Sequence, residues 1–457
     1  MMISRKGTGM RPEILRAIIF ACIVSFPCSG YALVGDTDGP FGLDGSLRTI
    51  FALTDLTRLP PFFRGDRSSD RSLRNLLRLT ADGRPTEDLA YEIHLVQNLE
   101  YVSNEFSGIA FSPPATARFQ ALDASWEQME KPNGNSRLWL DRFNIRLSLD
   151  IADITLGRQA ITFGKAYFWN PLDVFFPFEP QQIDRDYKAG VDALRIDIPF
   201  DDFSGFNLIG VIGRKVFPEN REDRLWDSTS YGSALLMRTY TTMMDWDFAL
   251  QSGKIYGGYQ FGCGAVGEVG PLESRLEATY FYAEDSDPLP FPLRGDIFED
   301  HITLVAGTGR TFENSFVFSL EYLYNGAGES GAGIPDSGGP EAGIPDSGDL
   351  NNLDVSFTRV GLGSSLHMSE HLLGLQLKYD IMPIFTSQLV WIYSITDQSS
   401  LIQPTFFLSL ADEVDLLFGA NFSFGDRPDL GNGMIPRLKS EFGTYPDLYF
   451  AELKYYF

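Results

Sequence analysis

The chain has 457 residues, 44% hydrophobic and 14% aromatic, with a formal charge of −24. Its 37 Phe, 19 Tyr and 6 Trp exclude a disordered chain, and the acidic balance argues against binding nucleic acid or anionic lipid. No stretch after residue 32 approaches the roughly 18 continuous apolar residues of a membrane-spanning helix.

The first 32 residues read as a secretory signal peptide. Arg5, Lys6, Arg11 and Arg16 precede the apolar run Ala17 to Phe26, and Gly30-Tyr31-Ala32 supplies a small-residue cleavage site. Pro27 stands against a lipoprotein reading through Cys28. Cleavage near Ala32 leaves residues 33–457 as the barrel domain; removing the signal's +3 takes the charge from −24 to −27. Cys22 and Cys28 leave with the signal, so Cys263 stands alone and no intramolecular disulfide is expected. An exported, aromatic-rich chain without a helical span can still cross a membrane as a closed barrel, where all backbone groups pair between strands.

Period-two alternation recurs from there on. Phe143, Ile145, Leu147 and Leu149 share a face opposite Arg142, Asn144, Arg146 and Ser148. Leu276, Ala278, Tyr280 and Tyr282 oppose Glu273, Arg275, Glu277 and Thr279, and Phe318, Leu320, Tyr322 and Tyr324 oppose Val317, Ser319 and Glu321. Runs of about ten such residues are the length a tilted strand needs to cross a bilayer. Candidate strands begin near Gly45, Ser72, Leu89, Ser136, Asp153, Gly190, Gly205, Tyr231, Asp245, Tyr256, Leu272, Glu299, Ser315, Leu353, His371, Phe385, Leu401, Glu413 and Asp447, with a further one near Arg118. The expected fold is all-β, a transmembrane antiparallel β-barrel of about 18 strands, with 16 as the alternative. Short turns are expected at 201–205, 267–270, 311–314 and 411–412, and longer loops at 217–230, 284–299, 326–352 and 425–446.

With the polar faces taken as lumen, Glu92, Glu100, Asp197, Asp245, Asp247, Glu273, Glu277, Glu321, Asp380, Glu413, Asp415 and Glu452 face Arg142, Arg146, Arg195, Arg275, Lys378 and Lys454. Twelve acids against six bases predict mild cation selectivity. The pore-lining candidates are Arg142, Arg146, Arg195, Asp197, Asp245, Asp247, Glu273, Arg275 and Glu277. Cross-strand salt bridges that stiffen the wall are the other reading of these charges.

Residues 163–190, FGKAYFWNPLDVFFPFEPQQIDRDYKAG, join two good strands and hold eight aromatics with Pro171, Pro177 and Pro180. Rings such as Phe168, Trp169, Phe175, Phe176 and Phe178 must bury against the barrel's inner wall or against its rim. The chain here resembles bacterial outer-membrane porins, in which one long loop folds into the lumen and narrows it. It is also similar to porin-like proteins with a GRQ-aromatic-Gly strand and an Asn-Pro-x-Asp loop, here Gly157-Arg158-Gln159 through Gly164, and Asn170-Pro171-Leu172-Asp173. The resemblance implies that Trp169, Asn170 and Asp173 approach the constriction; a lid packed on the rim is the alternative.

Ala332 to Gly338 recurs as Ala342 to Gly348, a Gly/Pro-rich repeat best read as a duplication in a tolerant loop. The Arg-Gly-Asp tripeptides at Arg64 and Arg294 read as chance matches. His94, His301, His367 and His371 form no metal-ligand spacing, the pair His367 and His371 lying at a strand start rather than on a helix. Ser369 beside His371 reads as chance, and Gly262, Gly264 and Gly267 lack the helix a nucleotide fingerprint requires. No enzyme, metal or cofactor is expected.

The chain ends DLYFAELKYYF, with Tyr449, Ala451, Leu453, Tyr455 and Phe457 on one face and Glu452, Lys454 and Tyr456 on the other. A terminal Phe457 with Tyr455 before it resembles the assembly signal of bacterial outer-membrane barrels, although Leu453 stands where a further aromatic is usual. The expectation is an outer-membrane porin-like channel for passive diffusion of ions or small polar solutes. Its partners would be membrane lipid, the barrel assembly machinery and, as a further option, a homo-oligomeric or protein partner. The alternative is a barrel that ensheathes a partner such as a cytochrome, or a substrate-specific facilitator or exporter.

Overall fold

Alternation at period two produces eighteen antiparallel strands closed on themselves. The computed structural model describes residues 34–35, 39–103, 116–178, 182, 185–214, 232–284, 296, 298–329, 360, 365–430 and 436–457. In chain order the strands are β1 Gly42–Asp55, β2 Ser69–Thr86, β3 Leu89–Val102, β4 Gly134–Leu149, β5 Ala152–Gln159 and β6 Val191–Asp201. Then follow β7 Ser204–Val211, β8 Ala234–Met243, β9 Trp246–Ile255, β10 Gly258–Val269, β11 Leu272–Ala283 and β12 His301–Thr311. The last six are β13 Val317–Asn325, β14 His371–Met382, β15 Phe385–Ser394, β16 Ser400–Ala411, β17 Val414–Phe424 and β18 Asp447–Tyr456. Each pairs with the next, and β18 returns to β1 in the register Ser46↔Tyr456 to Asp55↔Asp447. Closure pairs the edges that an open sheet would expose.

All eighteen strands begin within three residues of an expected start. The candidate near Arg118 is instead a 3-10 turn, Thr116–Phe119, followed by an accessory strand, Ser125–Lys131. That strand doubles back on the start of β4 and leaves the rest of β4 to pair with β5. The candidate near Leu353, the signal segment 1–32, the repeat at 332–348 and Arg294 lie outside the described residues.

Connections tend to alternate in length, although the loop end also holds the two-residue link 256–257 and the five-residue link 395–399. At one end the turns are short: 87–88, 150–151, 202–203, 244–245, 270–271, 312–316, 383–384 and 412–413. The longer loops gather at the other end. Met244 and Asp245, at φ 54° and 61°, form the two-residue hairpin between β8 and β9, a geometry that needs left-handed backbone at both positions. Asp245, expected on the lumen wall, is therefore a turn residue.

Outward faces carry the apolar residues. Phe143, Ile145, Leu147 and Leu149 are between 40% and 54% exposed, as side chains meant for lipid are. Inward faces change character along the barrel. Near the short turns they are polar, as the alternation predicts. Towards the loop end they turn apolar, with Ile209, Leu236, Leu323, Leu372 and Ile392 all fully buried. These wall residues pack on Ile161, Phe163, Phe175 and Phe176 on one side and on Phe168, Trp169 and Phe442 on the other. An inward apolar wall is stable only when something oily covers it, and the segment joining β5 to β6 is that cover. Part of the hydrophobic core thus lies inside the barrel.

Candidate functional site

The loop at 160–190 leaves the end of β5, runs along the inner wall as far as β14, and returns to β6. Its base is fixed by the Gly-Arg-Gln motif. Arg158 donates from Nε to Asp192 Oδ1 (2.7 Å) and from Nη1 to the Leu140 carbonyl (2.9 Å), while Gln159 Nε2 donates to the Ala193 carbonyl (3.3 Å). Beyond it, Gly164 sits at φ 86°, and a Cβ there would lie 2.8 Å from Asn170 Oδ1. That oxygen accepts the Ala166 amide (2.8 Å), and the Asn170 carbonyl accepts the Asp173 amide (2.9 Å), so the Asn-Pro-x-Asp motif folds the loop back on itself.

Two wall carboxylates hold this turn. Glu321 of β13 accepts the backbone amides of Tyr167 (2.7 Å), Phe168 (3.0 Å) and Trp169 (2.8 Å). Glu277 of β11 accepts those of Lys165 (2.7 Å) and Leu172 (3.3 Å). Both acids are buried, Glu321 at 0% and Glu277 at 4% exposure. They were expected to present charge to a cation path; instead they serve as acceptors for amides that no strand or helix satisfies. Glycines in the wall make room for the loop. Added Cβ atoms at Gly262 and Gly374 would come within 2.5 Å of Leu172 and 2.7 Å of Phe168. Gln251 and Gln260 donate to the Leu172 (3.0 Å) and Pro171 (3.2 Å) carbonyls.

The return arm is held on the opposite wall. Asp186 accepts from Arg48 of β1 (2.8 Å) and Lys454 of β18 (2.7 Å). The Tyr187 ring lies under the guanidinium groups of Arg48 (4.8 Å) and Arg78 (3.9 Å). Burial acts to raise the Asp186 carboxyl, but Lys454 and Arg48 outweigh it and hold the group below its ordinary value. Asp173 and Lys188 form an ion pair joining the two arms, 5% and 4% exposed. Burial pushes the Asp173 carboxyl up to about 6 against the pull of Lys188.

Of the three expected constriction residues, Trp169 and Asp173 are therefore internal to the loop, whereas Asn170 stays partly exposed while its Oδ1 accepts the Ala166 amide. Trp169 is 2% exposed and donates its indole N–H to His367 Nε2 (2.8 Å), while Asp173 is consumed by its ion pair. Among its other described polar side chains, the loop leaves Thr162, Lys165, Tyr167, Gln182, Arg185, Asp186 and Tyr187 at least partly exposed. Sequence reasoning missed them because their roles depend on which wall each arm meets.

The remaining wall candidates form pairs near the short-turn end. Arg142 meets Glu92 (3.0 Å), Arg146 meets Asp153, and Arg195 meets Asp197 (2.8 Å). Asp247 meets Lys165, and Arg275 meets Glu273 (2.8 Å) while stacking 3.9 Å over Tyr167. The structure also turns Arg48, Arg74, Arg78 and Arg238 inward, none of them counted among the expected bases. At the C-terminus, Phe457 exchanges backbone hydrogen bonds with Gly45 (2.7 and 2.9 Å), and its ring packs tilted against Tyr455.

No family model matches this sequence, nor does any curated protein. Its backbone is nevertheless similar to solved structures. Pseudomonas aeruginosa OccK11 (OpdR) superposes with a TM-score of 0.52 at 12% identity, covering 93% of this chain and 99% of that one. A BenF-like porin from Pseudomonas fluorescens Pf-5 gives 0.52 at 10% identity, covering 92% and 100%. Pseudomonas aeruginosa OpdK, solved with vanillate, gives 0.51 at 9% identity, covering 91% and 98%. With eighteen strands closed on themselves and a loop folded inward, this chain shares the closed antiparallel β-barrel fold of these structures.

Proposed function

We propose that the protein is an outer-membrane channel through which small polar solutes or ions diffuse passively, without enzymatic activity or a cofactor. The observation that carries this reading is the inward loop, fixed at one wall by Glu277 and Glu321 and at the other by Arg48 and Lys454. A rigid internal narrowing selects solutes by size and by the groups that line it. The loop also occupies space that a sheathed protein partner would need, which favours a channel over a scaffold. Residues 1–32 direct export, and Tyr455 with Phe457 form the signal read by the assembly machinery.

Charge selectivity is weak in this reading, with at most a slight cation preference. Three of the twelve expected acids, Glu277, Glu321 and Glu452, are no more than 4% exposed, and four unanticipated arginines meet inward partners: Arg48 with Asp186, Arg74 with Glu100, Arg78 with Asp141 and Arg238 with Asn207. Planar-bilayer recording of the refolded mature chain in a salt gradient tests the proposal. Stepwise currents with a reversal potential near zero are expected. Silence from a chain that circular dichroism shows to be folded would overturn it and restore the scaffold reading. Because OpdK was solved with vanillate, small aromatic carboxylates are the first solutes to try as current blockers.

A further inference from the structure

The tip of the inward loop is tied to two other loops by a buried chain of side chains that the anchoring described above does not require. Trp169 Nε1 lies 2.8 Å from His367 Nε2, and His367 Nδ1 meets Glu441 Oε1. His367 belongs to the loop between β13 and β14, and Glu441 to the loop between β17 and β18. The second oxygen of Glu441 accepts the Ser369 amide (2.8 Å), and the Glu441 amide donates to Asp397 Oδ2 (2.6 Å). Trp169, His367 and Glu441 are 2%, 4% and 2% exposed.

The chemistry of this chain fixes one protonation state. An indole nitrogen only donates, so His367 Nε2 must accept and carry no proton. The ring proton then sits on Nδ1, pointing at the Glu441 carboxylate. A second proton on the ring would place an N–H against the Trp169 N–H at a distance where one of them must leave. The charged groups around the ring are Glu441, Asp397 from the loop between β15 and β16, Glu321 beneath the Trp169 amide, and Glu370 on its own segment.

We propose that His367 is a positioning residue for the constriction, and that Trp169, His367 and Glu441 form a proton-sensitive latch that holds the loop tip when His367 is neutral and releases it when His367 is protonated. This rests on the channel reading for its consequence, a constriction that widens or flickers in acid, but not for the latch itself. Histidine is the side chain whose ordinary titration lies nearest neutrality, so pH is the variable to scan.

Two readouts on wild type, Trp169→Phe and His367→Gln test it. Trp169→Phe keeps a ring in the packing but removes the N–H, and so removes the donor conflict. The first readout is single-channel conductance against pH; the second is the tryptophan emission difference between wild type and Trp169→Phe, which reports Trp169 whether or not current flows. A transition in both for wild type, with a flat conductance profile in the two variants, is the expected result. A wild type flat in both readouts overturns the latch without any appeal to the variants, and currents that are present but flat leave the channel standing. An emission transition in a silent protein supports the latch and overturns the channel. Variants that keep the wild-type conductance transition show that another group carries it and overturn the latch.

Discussion

Lys188 and Asp173 form an ion pair, 4% and 5% exposed, that closes the inward loop on itself across fifteen positions of sequence. Neither group reaches water, so each depends on the other for charge compensation. Asp173→Ala or Lys188→Ala should cost about 3 to 5 kcal/mol in loop stability, since either leaves one uncompensated buried charge. Replacing both, as Asp173→Leu with Lys188→Met, should recover most of that loss. Urea unfolding of the refolded barrel, followed with protease sensitivity of the loop, measures the difference. A double variant no better than the singles would show that the pair is held by something other than mutual compensation.

Glu321 should control the width of the lumen. Its carboxylate accepts three consecutive backbone amides, from Tyr167, Phe168 and Trp169. Glu321→Gln keeps one acceptor oxygen but turns an amide group towards the loop's own N–H donors. The expected cost is on the order of 3 kcal/mol of anchoring, and the expected result is a larger and noisier single-channel conductance. Unchanged conductance in a folded Glu321→Gln barrel would place the narrowing elsewhere.

Asp186 gives the return arm a pH dependence of known sign. Its carboxyl is held below the ordinary value, so its contribution is fully present above the unfolded value of about 3.9 and is lost as pH falls through the lower folded value. The stability difference between wild type and Asp186→Asn should therefore be constant above about pH 5 and shrink below about pH 4. Unfolding midpoints across that range provide the check. A difference that grew on acidification would reverse the assignment.

Phe457 closes the barrel through its backbone as well as its ring. It exchanges two hydrogen bonds with Gly45, and a Cβ at Gly45 would lie 2.4 Å from Cε2 of its ring. Deleting Phe457, or replacing Gly45 with Val, should reduce the amount of folded protein recovered from outer membranes several-fold, read from the heat-modifiable band on gels. Normal recovery after deletion would remove the terminal residue from the assembly signal.

The barrel was legible because its rule is local. Lipid on one side of every strand forces alternation at period two, and each run of about ten residues declares its face without reference to a partner. The same rule misread Glu277 and Glu321. A carboxylate on the polar face of a strand looks alike whether it meets water or the amides of a loop more than a hundred residues away. It also missed the loop-end half of the lumen, where Leu323, Leu372 and Ile392 alternate with outward apolar residues and the strand is apolar on both faces.

Sequence alone determined the closed sheet, its strand starts and the unusual chemistry of residues 163–190, because hydrophobic period and turn residues act over a few neighbours. Tertiary structure decided what that chemistry is for. Only when β5 and β6 stand in the wall can the loop reach β14 with Phe168 and β1 with Asp186, and only then does Trp169 meet His367. Those partners are separated by long stretches of chain, and no local pattern encodes which of the inward groups each arm will find.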